Sequence, residues 1–157
     1  MQELRVAWIT DLDAVTSIVN SADIAPFVLE GEAFSAPPVS DFLKYLGVYD
    51  GTTLVGVYLF MRRLRYMWEV HTCLTKACRG KKAVVVGRLA MEKLFSELDL
   101  ECLTTFVPET YLHVQAYTTR MGFKLCGIFP QCFFHENVQD CYLYAITREE
   151  AISCLQQ

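Results

Sequence analysis

Glu69, His71 and Cys73 alternate along the run Tyr66 to Leu74. Period-two alternation puts the three on one face of a strand, with Val70, Thr72 and Leu74 on the other. A carboxylate and an imidazole side by side are residue types that take and return protons in catalysis. The row also raises a Cys–His nucleophile pair. Same-face neighbours on a strand stand about 7 Å apart, too far for a direct hydrogen bond, so Cys73 reads as structural. The competing reading of Glu69 and His71 is a pair of hydrogen-bonded structural residues.

A second candidate follows at once. Arg79-Gly80-Lys81-Lys82 separates the apolar run from a helical pattern that begins at Ala83. The start of a helix leaves four backbone N–H groups unpaired and carries about half a positive charge. Such donors hold phosphate, and Arg79, Lys81 and Lys82 would add charge. A polar turn between two buried elements is the plainer alternative. Cys78, beside Arg79, is a candidate for a lowered thiol pKa. The other basic cluster, Arg62-Arg63-Leu64-Arg65, reads as the exposed turn of a hairpin. His113 and His135 lie on a helix and a turn without metal-ligand partners, and no metal site is expected.

The elements that must carry these residues follow from periodicity. Glu3 to Ile9 reads as a strand. Thr10 to Asp13 reads as a capping box opening a helix to about Asn20, with Leu12, Val15, Ile18 and Val19 on one face. Residues 21 to 38 look irregular and end in Ala36-Pro37-Pro38. A second helix is expected over Ser40 to Leu46, stopped by Gly47. Asp50-Gly51 marks a tight hairpin between Gly47–Tyr49 and the strand Thr53 to Met61. Tyr66 to Leu74 is the next strand, Ala83 to Leu98 a helix, and Glu101 to Val107 a strand stopped by Pro108. Glu109 to Met121 is a helix ended by Gly122. Phe123 to Phe134 and Cys141 to Ile146 close the chain around a His135-Glu136-Asn137 turn. The order β-α-α-β-β-β-α-β-α-β-β implies an α/β (α+β) fold with a mixed sheet of about seven strands.

Composition bounds the function classes. A chain of 157 residues suits one domain spanning 1–157, and 53% hydrophobic residues with ten Phe and eight Tyr suit a sheet-rich core. A net charge of −4 argues against a nucleic-acid partner. No apolar segment approaches the roughly 20 residues of a membrane span. Seven cysteines with no CxxC pair, and no signal-peptide core, point to a reducing cytoplasm. Phe133-Phe134 near a hairpin tip suits pairing with a second copy, and core packing equally.

Three stretches carry a family resemblance. Trp68 to Lys81 resembles the strand, short loop and Arg-Gly start of an acyl-CoA pyrophosphate loop. Phe106 to Tyr111 with Arg120-Met121-Gly122-Phe123 resembles a fifth strand, its helix and a "GF" turn. Gly127 to Phe134 followed by Asp140 to Glu150 resembles a closing hairpin. In order and spacing the chain resembles the GNAT superfamily of N-acetyltransferases, above all its ribosomal-protein-acetyltransferase-like and phage-encoded members.

The resemblance implies an acyl-CoA-dependent N-acyltransferase moving acetyl directly from acetyl-CoA to a primary amine of a protein or small molecule. It implies acetyl-CoA contacts at Leu74, Thr75, Arg79, Gly80, Lys81, Lys82, Ala83, Val84 and Tyr111, the last standing where many members have Asn. It places the strand of Glu69 and His71 at the splayed centre of the sheet, which makes either one the candidate base. The family's acid is often a Tyr four residues before the Gly of "GF". That position is Thr118 here, and Tyr117 lies one position off, about 100° around the helix. The loop also departs from the family pattern, with Lys82 and Val84 where small residues belong. These departures leave a second reading open: a catalytically inactive GNAT-fold binding or assembly protein, phage-encoded in the resemblance.

Overall fold

The computed structural model describes residues 3–157. The chain runs β1 (Leu4–Trp8), α1 (Leu12–Val19), α2 (Ala25–Val28), β2 (Leu43–Asp50), β3 (Thr53–Leu64) and β4 (Met67–Leu74). A 3₁₀ turn (Lys76–Cys78) follows, then α3 (Lys81–Glu97), β5 (Cys102–Pro108), α4 (Leu112–Arg120), β6 (Lys124–His135), β7 (Asn137–Thr147) and α5 (Arg148–Leu155). The seven strands form one sheet in the order β1-β2-β3-β4-β5-β7-β6. Every neighbouring pair is antiparallel except β4 and β5, which are parallel. The mixed seven-stranded sheet expected from the sequence is present.

Two apolar layers cover the sheet. On one face α3, α4 and α5 bury Val86, Leu94, Phe95, Met121 and Ala151 against Phe60, Trp68, Val70, Leu103 and Ile146. On the other, Val15, Ile18 and Val19 of α1 pack on Tyr45, Val57 and Cys73. Helix α3 opens with the β-branched run Val84-Val85-Val86, which costs a few tenths of a kcal/mol per residue in helix propensity. Burial of Val86, Leu94 and Phe95 outweighs that, at roughly 1.5–3 kcal/mol each. Gly87 lies in the middle of α3 because α4 comes too close for a side chain. A Cβ there would collide with the Tyr117 hydroxyl and come within 3.0 Å of Met121 Cε.

Four expectations need correction. Ser40 to Leu46 is not a helix: Leu43–Asp50 is a strand paired on both sides, with β1 and β3. Its residues are buried on both faces, Tyr45 toward α1 and Leu46 and Val48 toward α3, so the apolar run has no clean period of two. The second helix lies earlier, as the single turn Ala25–Val28 with Pro26 in its first turn. The cap of α1 is Asp11, whose carboxylate accepts from Ala14 N, and not Thr10. The chain ends in a helix, α5, rather than in the last strand.

Candidate functional site

The β4–β5 seam is short. Residues Met67, Trp68 and Glu69 pair with Cys102, Leu103 and Thr104, and the ladder stops there. Beyond it Val70 to Leu74 stay on β3, while Thr105 to Pro108 stay on β7. Thr105 Oγ1 donates to Val70 O at 2.9 Å, a side-chain tie at the point where the strands part. The parting strands leave backbone groups of a central strand free of a ladder partner, which is where an extended ligand can be received.

Glu69 sits at the end of the seam and is 5% exposed. Arg63 donates to both of its oxygens, Nε to Oε2 at 2.8 Å and Nη2 to Oε1 at 3.2 Å. Oε1 also lies 2.6 Å from His71 Nε2. Burial pushes the Glu69 carboxyl up, but the hydrogen bonds from His71 and Arg63 outweigh it and bring the pKa down to about 2. A carboxylate held so low, with both oxygens occupied, is a weak proton acceptor. The His71 ring is 41% exposed. Among the described residues it makes no second hydrogen bond, so its other nitrogen is left without a protein partner. The sequence places these two side chains on one face, and the structure brings them into contact.

The cysteines flanking the site are inert. Burial pushes the Cys73 thiol up to about 12. Cys78 is fully buried and its pKa is raised by that burial, with Lys82 opposing only in part. The lowered pKa expected for Cys78 is therefore corrected: the thiol points into the core, away from the basic turn.

The basic turn forms the start of α3. Leu74 is buried at the end of β4, and Thr75 binds Val55 O through its N–H at 3.0 Å and its hydroxyl at 2.8 Å. Gly80 is the N-cap at φ 66° and ψ −130°, a conformation that suits only glycine. Among the described residues no side chain caps the helix, and the N–H groups of Lys81, Lys82 and Ala83 meet no protein acceptor. Val84 lies half-buried against the core behind them. Lys81 is exposed without an ion-pair partner among the described residues. Lys82 is not free: its Nζ lies 2.6 Å from Asp50 Oδ2. Arg79 turns from the helix start toward α2, donating from Nη2 to Asp23 O at 2.6 Å.

The two tyrosines part company. Tyr111 caps α4 and donates to Phe27 O at 3.0 Å, while burial pushes its phenol up to about 12. It meets Phe27, Phe133 and His135 edge-on, with ring centroids 5.5–6.2 Å away. Tyr117 donates to Ala83 O at 3.2 Å and packs under α3 beside Tyr58. That is the face opposite to Glu69 and His71, so the structure does not bring Tyr117 to them.

Sequence reasoning missed Arg63, Asp23, Asp50 and Phe27. Arg63 was hidden by its basic neighbours. It is the extra residue of a β-bulge between Arg62 and Leu64. Extending the alternation from Met61, the partner of Glu69, would have placed it on the Glu69 face. Asp23 and Phe27 lie in the stretch without periodicity, where no signal was available.

The sequence matches the family model described as "Protein of unknown function (DUF2824)" over residues 6–157. It is 25% identical over 114 residues to "Putative protein p31" of Acyrthosiphon pisum secondary endosymbiont phage 1, covering 72% of this chain and 74% of that one. The structure is similar to spermidine N-acetyltransferase from Vibrio cholerae in complex with CoA and spermine. That match has a TM-score of 0.78 at 16% identity, over 95% of this chain and 98% of that one. It is also similar to an acetyltransferase of GNAT family from Streptococcus pneumoniae, with TM-score 0.78, 16% identity and coverage of 92% and 99%. At such identity the likeness shows the fold, and the fold is that of the GNAT acetyltransferases.

Proposed function

The chain belongs to the DUF2824 family and carries the GNAT fold, and from that premise we propose that it is an acyl-CoA-dependent N-acyltransferase. The observation that carries the reading is the three-residue β4–β5 seam. It opens beside the Glu69–His71 pair and below the uncapped start of α3. In this reading acetyl-CoA lies along Leu74 and Thr75, with its pyrophosphate on the N–H groups of Lys81, Lys82 and Ala83. Arg79, Gly80 and Lys82 surround that loop, and Val84 backs it. Tyr111 borders the opening from the α4 side.

His71 is the base. Its free ring nitrogen takes the proton of the acceptor ammonium, and Glu69, ionised and buried, holds the ring and stabilises the imidazolium. The neutral amine then attacks the thioester carbonyl, forming the C–N bond as the C–S bond breaks. The thiolate leaves and takes up, through water, the second proton that the attacking nitrogen sheds as it becomes the amide. Water fits that acid role better than Tyr117, whose hydroxyl is engaged at Ala83 O on the far face. The neighbour from Vibrio cholerae is a spermidine N-acetyltransferase, which supports a primary amine as the acceptor class.

Isothermal calorimetry with acetyl-CoA is the test. Micromolar binding weakened by Arg79→Ala and by Lys82→Glu supports the reading; no binding at millimolar ligand overturns it. A second reading has its own observation. Lys82 is bound by Asp50, and Val84 stands where the family resemblance implies a small residue. Both suit a catalytically inactive binding or assembly protein, and the phage relative suits a phage-encoded one. No described helix is long and apolar enough to cross a membrane, and the proposal places the protein in the cytoplasm. A homodimer paired through the Phe133-Phe134 tip, where Phe134 is exposed and Phe133 packs on Tyr111, belongs to the same proposal, with sedimentation velocity as its check.

A further inference from the structure

The Glu69–His71 contact has a third member. Arg63 is half-exposed, stands on the bulge of β3 and reaches both Glu69 oxygens with its planar fork, at 2.8 and 3.2 Å. The neighbouring arginines are engaged elsewhere, Arg62 over the Phe42 ring and Arg65 over Tyr66. Along β4 the next group on this face is Cys73, a buried thiol, and on β5 the residue paired with Glu69 is Thr104, whose hydroxyl donates to Trp68 O. Among the described residues, Arg63 and His71 are thus the only charged or titratable partners of Glu69.

An ionised carboxylate can only accept hydrogen bonds. With Arg63 donating to both oxygens, the one atom of His71 within reach of Oε1, Nε2, must carry its proton when the ring is neutral. The lone pair is then at Nδ1, which has no hydrogen-bond partner among the described residues. A bidentate guanidinium fixes the plane of a carboxylate as well as its charge, which a single ammonium does not. A carboxylate released from that plane can turn, and His71 loses the geometry that selects one tautomer.

We propose that Arg63 is a positioning residue for the base, its two hydrogen bonds to Glu69 holding His71 with Nε2 protonated and Nδ1 open to the acceptor. The inference rests on the acyltransferase reading for the purpose of the base, but its test does not use that reaction.

Long-range ¹H–¹⁵N NMR of the free, uniformly labelled protein reads the tautomer of each of its three histidines, with His71→Gln assigning the signals. In the unaltered protein, above the titration of the ring, His71 shows Nε2–H and an unprotonated Nδ1. In Arg63→Met the ratio of the Nε2–H to the Nδ1–H form falls about tenfold, the scale of one charge-assisted hydrogen bond. In Arg63→Lys it falls by less, because one oxygen keeps a cation. Should Arg63→Met fail to fold by circular dichroism, Arg63→Lys decides alone. A His71 already protonated at Nδ1 in the unaltered protein, or a ratio unchanged in the folded variants, overturns the proposal. Calorimetry with acetyl-CoA judges the acyltransferase reading separately, so either can fail without the other.

Discussion

Lys82 and Asp50 meet at 2.6 Å, joining the first turn of α3 to the β2–β3 hairpin. The ammonium that would face a pyrophosphate is turned onto a carboxylate of its own chain. Exposed pairs of this kind contribute little, because solvent screens them. Asp50→Asn is therefore expected to release Lys82 and tighten acetyl-CoA binding about threefold. Lys82→Glu, which reverses the charge beside the helix start, is expected to weaken it about tenfold. Calorimetry on both variants checks this, and an affinity indifferent to Asp50→Asn removes Lys82 from the cofactor site.

Glu69 makes stability depend on pH in a defined direction. Its carboxyl is near 2 in the folded chain and about 4.3 in an unfolded one. The contribution is complete above the unfolded value and is lost as pH falls toward 2. With the half-exposed Arg63 screening part of it, about 2 kcal/mol is expected. Urea unfolding of the unaltered protein and Glu69→Gln should show that gap near neutral pH and a smaller one near about pH 3. A gap of the same size at both would show that the charge contributes nothing.

Gly87 offers a steric test. Alanine improves helix propensity by about 1 kcal/mol, while overpacking costs about 1–3 kcal/mol. With Tyr117 and Met121 both in the way, Gly87→Ala is expected to destabilise the protein. In a Tyr117→Phe background the penalty should shrink, because the colliding hydroxyl is gone. A thermal-denaturation double-mutant cycle measures the difference; additive effects would mean that α3 moves instead.

The thiols should separate by exposure. Cys126 and Cys132 are exposed, whereas Cys73, Cys78 and Cys141 are buried. A chromogenic disulfide reagent at neutral pH is expected to titrate Cys126 and Cys132 fast, and the buried three only in denaturant. Fast loss of Cys78, identified by mass spectrometry, would contradict its burial.

The sheet was legible where alternation and turn chemistry agree. Asp50-Gly51 placed the β2–β3 hairpin, and period two put Glu69 beside His71. The failures have separate causes. Tyr45 and Leu46 enter opposite cores, so β2 lost its alternation and read as a helix. The α5 signal was in plain view: Thr147 and Glu150 form a capping box, Glu150 N donating to Thr147 Oγ1 at 3.2 Å and Thr147 N to Glu150 Oε2 at 2.9 Å. Of the site, the residues on regular elements were found. Asp23 and Phe27 were not, because tertiary contacts with Arg79 and Tyr111, rather than any local pattern, define their place.

The short seam also divides the sheet into two stretches of chain. Apart from the seam itself, strands β1 to β4 pair only with their sequence neighbours, and β5 to β7 pair only among themselves. Each half is an antiparallel unit with mostly local contacts, the kind that assembles quickly. Joining the halves needs the long α3 crossover to bring Met67–Glu69 against Cys102–Thr104. Those three residue pairs are the only strand ladder between the two halves among the described residues. The cleft is what remains where those halves never finish closing.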